Sequence, residues 1–85
     1  MSLRESFEQS VKKLESFDER PGNEDLLKLY ALYKQATIGN VADERPVGFD
    51  FKAIAKYNAW NALKDMTQDD AMKEYIQLVD SLSAN

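Results

Sequence analysis

The sequence predicts an all-α protein of four helices and no strands. Two observations carry this reading. Apolar residues recur at three- and four-residue spacing in four separate stretches. Between those stretches stand chain-breaking pairs, Pro21–Gly22, Gly39–Asn40 and Pro46 with Gly48. The length of 85 residues gives one domain, residues 1–85. A domain of this size buries roughly 60% of the surface its unfolded chain exposes, so its core is thin.

The first helix spans about Leu3 to Phe17. Ser2, with Glu5 three residues on, is a capping-box pattern. Leu3, Phe7, Val11 and Leu14 form one stripe, and charges fill the other faces. The second helix covers residues 23–38, with Asn23 as N-cap and Gly39–Asn40 as the C-terminal stop. A connection from about Asn40 to Phe49 follows. It is longer than a helix–helix turn requires, and long connections in small domains often carry function. The third helix starts at the N-cap Asp50 and runs through FKAIAKYNAWNALK to Lys64. The fourth starts at Thr67, where Thr67 and Asp70 form the acidic analogue of a capping box. Ala71, Met72, Tyr75, Ile76, Val79 and Leu82 line one of its faces. The tetrapeptide DERP occurs twice, at residues 18–21 and 43–46, in unrelated flanks. Two copies at that spacing do not make a solenoid.

Composition removes several function classes. The net charge is −4, against the basic footprint of nucleic-acid binders. No apolar run approaches the ~20 residues of a membrane span, and the N-terminal MSLRESFEQS has no hydrophobic signal core. Histidine and cysteine are both absent. The commonest general base, the commonest metal ligand and the thiolate nucleophile are therefore missing, and no metal site is expected. Ser and Thr have no histidine to activate them. Asp43, Glu44, Asp69 and Asp70 fall in loops and helix starts, where capping and solvation account for them. No Gly-rich phosphate loop exists. We expect a soluble, intracellular domain, and nothing in these residues supports an enzyme.

One residue resists a purely structural account. On the second helix Leu26, Leu29, Tyr30, Leu32, Tyr33, Ala36 and Ile38 cover most of the circumference, which leaves Lys28 and Gln35 as the polar strip. Lys34 falls inside the apolar arc, one turn from Tyr30. Burying an unpaired ammonium is expensive. Tyr30, Tyr33 and Lys34 share one patch at i, i+3 and i+4. Either tyrosine alone reads as a core residue with a wet hydroxyl, and a lone lysine as a snorkelling stem. The set reads better as an anion site with aromatic walls. The third helix adds Lys52 and Lys56, one turn apart, with Trp60 one turn further. Residues 51–64 carry three lysines and no acid. In an acidic chain, that points to a phosphate-rich partner of modest size. A helical protein-interaction module, using the basic helix as a docking face, is the alternative.

YALYKQATIGN at residues 30–40, ERP at 44–46, FKAIAKYNAWNALK at 51–64 and DAMKEYIQLV at 70–79 occur in an order and spacing that resemble the acyl-CoA-binding protein family. With Phe7 and Pro21 the resemblance covers nearly the whole chain. It implies a four-helix bundle with up-down-down-up topology. It also implies a monomeric carrier of medium- and long-chain fatty acyl-CoA thioesters, which needs no cofactor and performs no reaction. The family's head-group positions match Tyr30, Tyr33, Lys34, Lys52, Lys56 and Tyr75. Leu26, Leu27 and Ala55 fall where the acyl chain lies. Three positions depart from the pattern. Glu15 stands where many members have a lysine, Ile54 replaces a residue that is often basic, and Tyr57 stands where tryptophan is common.

Overall fold

The structure is a computed structural model that describes residues 1–42 and 44–83. It contains four α-helices and, among the described residues, no strand. α1 is Leu3–Glu15, α2 is Asn23–Thr37, α3 is Phe51–Asn61 and α4 is Gln68–Ser83. Asp43, expected in the α2–α3 connection, lies outside the described residues.

Most of the expected caps are formed. The Ser2 hydroxyl accepts from the Glu5 N–H at 3.2 Å, and the Glu5 carboxylate returns the contact to the Ser2 N–H at 3.4 Å. Asp50 accepts from the Ala53 N–H at 3.1 Å. Thr67 accepts from the Asp70 N–H at 3.0 Å. Three boundaries differ from expectation. α1 ends at Glu15 rather than Phe17, with Ser16 as its C-cap. α2 has Gly22, not Asn23, as its N-cap, and no side chain caps it. Glu24 and Asp25 in the first turn meet the positive end of the helix dipole instead. α3 stops at Asn61 rather than Lys64. Its last turn tightens into i→i+3 bonds, Leu63 N–H to Trp60 and Lys64 N–H to Asn61. The chain then turns at Asp65, with φ +72°.

That turn is fastened to the end of α2. Asn40 Oδ1 accepts from the Asp65 N–H at 2.8 Å, and Asn40 Nδ2 donates to Asp65 Oδ1 at 3.3 Å. Gly39, at φ +97°, adopts the left-handed conformation that ends α2. Its N–H reaches the Lys34 and Gln35 carbonyls.

Side-chain pairs fix the helix directions. Phe7 meets Tyr75 and Lys13 meets Asp80, so α1 and α4 run together. Tyr33 meets Tyr75 while Gln35 reaches back to Met66, so α2 runs against α4. Leu26 and Leu27 share a groove with Phe51 and Ala55, whereas Lys34 and Gln35 meet Trp60 further along. α2 and α3 are therefore parallel, and the long connection carries the chain back between them. The topology is up-down-down-up. The helices touch in the order α1–α4–α2–α3. α3 packs on α2 alone, and both of its flanks stay accessible.

The core forms where α1, α2 and α4 meet. Phe7, Leu29, Leu32, Ala36, Ala71, Met72, Tyr75 and Val79 fill it. Leu3, Val11, Leu14 and Phe17 pack against it from α1 and the residues just beyond. The expected polar strip of α2 is only half right. Lys28 is exposed, but Gln35 is completely buried. Its amide donates to Asn40 Oδ1 at 2.9 Å and to the Met66 carbonyl at 2.8 Å, and its Oε1 accepts from Trp60 Nε1 at 3.2 Å. A buried amide with these bonds costs little to desolvate. Gln35 thus ties α2 to α3 and to the α3–α4 connection at one end of the protein. Ile38, placed in the apolar arc, is the C-cap and is mostly exposed.

Candidate functional site

Because α2 and α3 are parallel, residues at matching heights on the two helices face one another. Tyr30 stands at the centre. The Lys56 ammonium lies 5.2 Å from its ring centroid and the Lys34 ammonium 5.8 Å. Lys34 also lies 5.8 Å from the Trp60 ring. These are cation–π distances. Among the described residues Lys34, Lys52 and Lys56 form no ion pair; the one ion pair is Lys13–Asp80, on another face. Two ammonium groups thus converge on one ring, and among the described residues neither is ion-paired. Such a place suits an anion that carries more than one charge.

The seat of Lys34 is held by hydrogen bonds. Trp60 Nε1 donates to the Gly39 carbonyl at 2.8 Å and to Gln35 Oε1 at 3.2 Å. This fixes the indole plane under the lysine. Gln35 was not among the residues expected at the site, and Trp60 was expected beside Lys56 without a role of its own. The spacing of Trp60 four residues after Lys56 was the available signal.

An open groove of about 420 Å³ continues from Tyr30 between α2 and α3. Leu26, Leu27, Ala55 and Phe51 form its apolar wall, so the structure brings the three residues expected along an acyl chain into one groove. Lys52, Lys56 and Arg20 edge it with positive charge. Arg20 was not among the residues expected here. A second depression of about 220 Å³, on the other side of Tyr30 and Lys56, is lined by Tyr57, Trp60, Glu44 and Pro46. The long connection therefore contributes to the site. A larger hollow of about 600 Å³ lies between the α1–α2 connection and the end of α4. Asp18 and Glu19 outweigh Arg20 on its walls, so it does not suit a polyphosphate.

Tyr33 and Tyr75 form a separate aromatic cluster. Tyr33 is 41% exposed and Tyr75 only 3%. Their centroids are 6.5 Å apart, and Phe7 meets both, at 5.9 Å and 5.0 Å. Tyr75 is thus part of the core, with Tyr33 standing outside it. The six expected head-group residues divide into a lysine–tyrosine cluster between α2 and α3 and a tyrosine pair between α2 and α4. Burial pushes the Tyr75 hydroxyl up to about 12, aided by Tyr33 and by the nearby Glu15 charge. A free tyrosine ionises near 10. The unfolded chain therefore loses this proton first as pH rises, and the folded state loses stability between pH 10 and about 12. Denaturant titrations of the parent and Tyr75→Phe should show a difference that shrinks across that window. A constant difference would contradict the shifted ionisation.

The fold and this groove define a small helical ligand-binding protein in which lysines stand beside an apolar wall. Comparison with known proteins gives its family. The family profile described as "Acyl CoA binding protein" matches residues 4–79. The chain is 46% identical to the acyl-CoA-binding protein of Brassica napus over 96% of this chain and 89% of that one. It is 47% identical to the acyl-CoA-binding protein of Saccharomyces cerevisiae over 92% of this chain and 90% of that one. The crystal structure of Oryza sativa acyl-CoA-binding protein 2 superposes with a TM-score of 0.92 at 40% identity, covering 98% of this chain and 92% of that one. The chain belongs to the acyl-CoA-binding protein family.

Proposed function

We propose that residues 1–85 act as one domain that binds medium- and long-chain fatty acyl-CoA and carries it, as a monomer in the cytoplasm, without chemical change. The observation that carries this reading is the pairing of Lys34 and Lys56 on the Tyr30 ring at the mouth of an apolar groove. In this reading the phosphates of the head group meet Lys34, Lys52 and Lys56. The adenine stacks among the tyrosines, with Tyr33 presented to it and Tyr75 behind. The acyl chain lies along Leu26, Leu27 and Ala55. No histidine or cysteine is present to attack the thioester. No helix among the described residues is long and apolar enough to cross a membrane.

Lysine footprinting tests the assignment directly. Brief acetylation in the presence of palmitoyl-CoA should spare Lys34, Lys52 and Lys56 relative to the empty protein. Lys12, Lys28 and Lys73, exposed elsewhere, should react equally in both samples. Uniform labelling of all six would remove the head group from this site.

A further inference from the structure

Phe51 is the first residue of α3, and it is 74% exposed. Even so, it lines the groove between α2 and α3 with Leu26, Leu27 and Ala55. A large ring that borders a cavity and still meets water has an apolar contact to gain when the cavity fills. Its height in the groove follows from the helix pairing. Tyr30 meets Lys56 and Lys34 meets Trp60, so α2 and α3 advance in step. Phe51 stands five residues before Lys56, about 7.5 Å from that level at a rise of ~1.5 Å per residue. It lies on the side away from Lys34 and Trp60. Arg20 and Asn23 share that end of the groove, and there the lining turns polar.

We propose that Phe51 is a specificity-determining residue that sets the acyl-chain length this protein prefers. The proposal deepens the reading of the groove as the acyl-chain site and rests on it. With the phosphates held at the Lys34 and Lys56 end, the distal methylenes are the part of the ligand that reaches Phe51. An extended chain advances about 1.2 Å per bond, so about six bonds separate the Tyr30–Lys56 level from the ring. A four-carbon chain stops short of it. The ring then faces water with or without ligand and adds nothing to affinity. A sixteen-carbon chain passes the ring, and both surfaces leave water together. Beyond Phe51 the chain meets Arg20 and Asn23, so further methylenes stay hydrated and affinity levels off.

Calorimetric titration of the parent and variants with butanoyl-CoA and palmitoyl-CoA tests the assignment. Phe51→Ala should bind palmitoyl-CoA roughly tenfold more weakly than the parent, the loss expected for a ring that the chain covers in part. Butanoyl-CoA should bind parent and variant within about twofold of each other. Phe51→Leu should recover part of the palmitoyl-CoA affinity, because an apolar side chain remains. Phe49→Ala is the control. Phe49 is 91% exposed, two residues away, and does not line the groove. That variant should bind both ligands as the parent does. Melting temperatures should match throughout, since neither ring is buried and alanine suits the first turn of a helix. Equal palmitoyl-CoA affinity of parent and Phe51→Ala would overturn the proposal. So would equal losses with both ligands, which would set the ring against the coenzyme rather than the chain. A comparable loss in Phe49→Ala would overturn it as well, by making the effect one of general surface apolarity. A parent that binds butanoyl-CoA and palmitoyl-CoA equally would instead remove the acyl-chain reading of the groove. A parent that prefers palmitoyl-CoA beside an unchanged Phe51→Ala would remove the role of Phe51 alone.

Discussion

Coenzyme A without an acyl chain is expected to bind this protein on the order of a thousand- to ten-thousandfold more weakly than palmitoyl-CoA. Full burial of a methylene is worth about 0.8 kcal/mol, so a long chain could supply up to ~10 kcal/mol before ordering costs. The groove is open along one side, however, and its wall is made by Leu26, Leu27, Ala55 and Phe51. Covering about half of the chain leaves roughly 4–6 kcal/mol, which corresponds to the stated range. Free palmitate should bind poorly as well, because it brings one charge to a site with Lys34, Lys52 and Lys56. Calorimetric titration with coenzyme A, palmitate and acyl-CoAs of increasing length measures both ends. Affinity that does not change with chain length would sink the two-ended description. Pure protein should also leave the thioester intact.

Lys34→Met is expected to cost roughly 1.5–3 kcal/mol of acyl-CoA affinity, the scale of a lost charge-assisted hydrogen bond. Methionine keeps the stem that packs along the helix. Stability without ligand should change little, because two opposing effects are removed together. The desolvated charge disappears, and so do its contacts with the Tyr30 and Trp60 rings. Each such contact is worth about 0.5–1 kcal/mol at a partly exposed position. Lys56→Met should lose a similar amount of affinity. The double variant should lose less than the two single losses added, since both ammonium groups lie against one ring and would grip the same phosphate group. Tyr30→Phe should cost less than either, as the ring remains. Lys28→Met, exposed on the same helix, serves as the control. Titrations and thermal melts of these variants decide the matter. Parent-like binding by Lys34→Met, or its failure to fold, would refute the role given to this lysine.

Local signals in the sequence were sufficient where one residue acts on its near neighbours. The Ser2–Glu5 box and the Asp50 and Thr67 caps formed as read. Lys34, read as lying inside an apolar arc, stands on the face of α2 that meets Trp60 of α3. Readings failed where the cause is distant in sequence. Gln35 sits on the strip that Lys28 defines, and nothing nearby shows that Trp60, Asn40 and Met66 will bury and satisfy it. The early stop of α3 follows from Asn40 holding Asp65, twenty-five residues away. Tyr33 and Tyr75 looked equivalent as polar-tipped aromatics, yet the packing of α1 puts one in the core and leaves the other outside.

The chain contains a single tryptophan, and it lies in the candidate site. Its indole is 7% exposed, its N–H is bonded to two oxygens, and an ammonium stands near its ring. Indole emission responds to the local electric field, so neutralising Lys34 with an anion should shift the spectrum without any change in fold. Unfolding would shift it differently, because the ring would then meet water. The protein therefore carries its own optical gauge, which needs no attached dye. Occupancy and denaturation can be read in the same cuvette as two distinct colour changes of one residue.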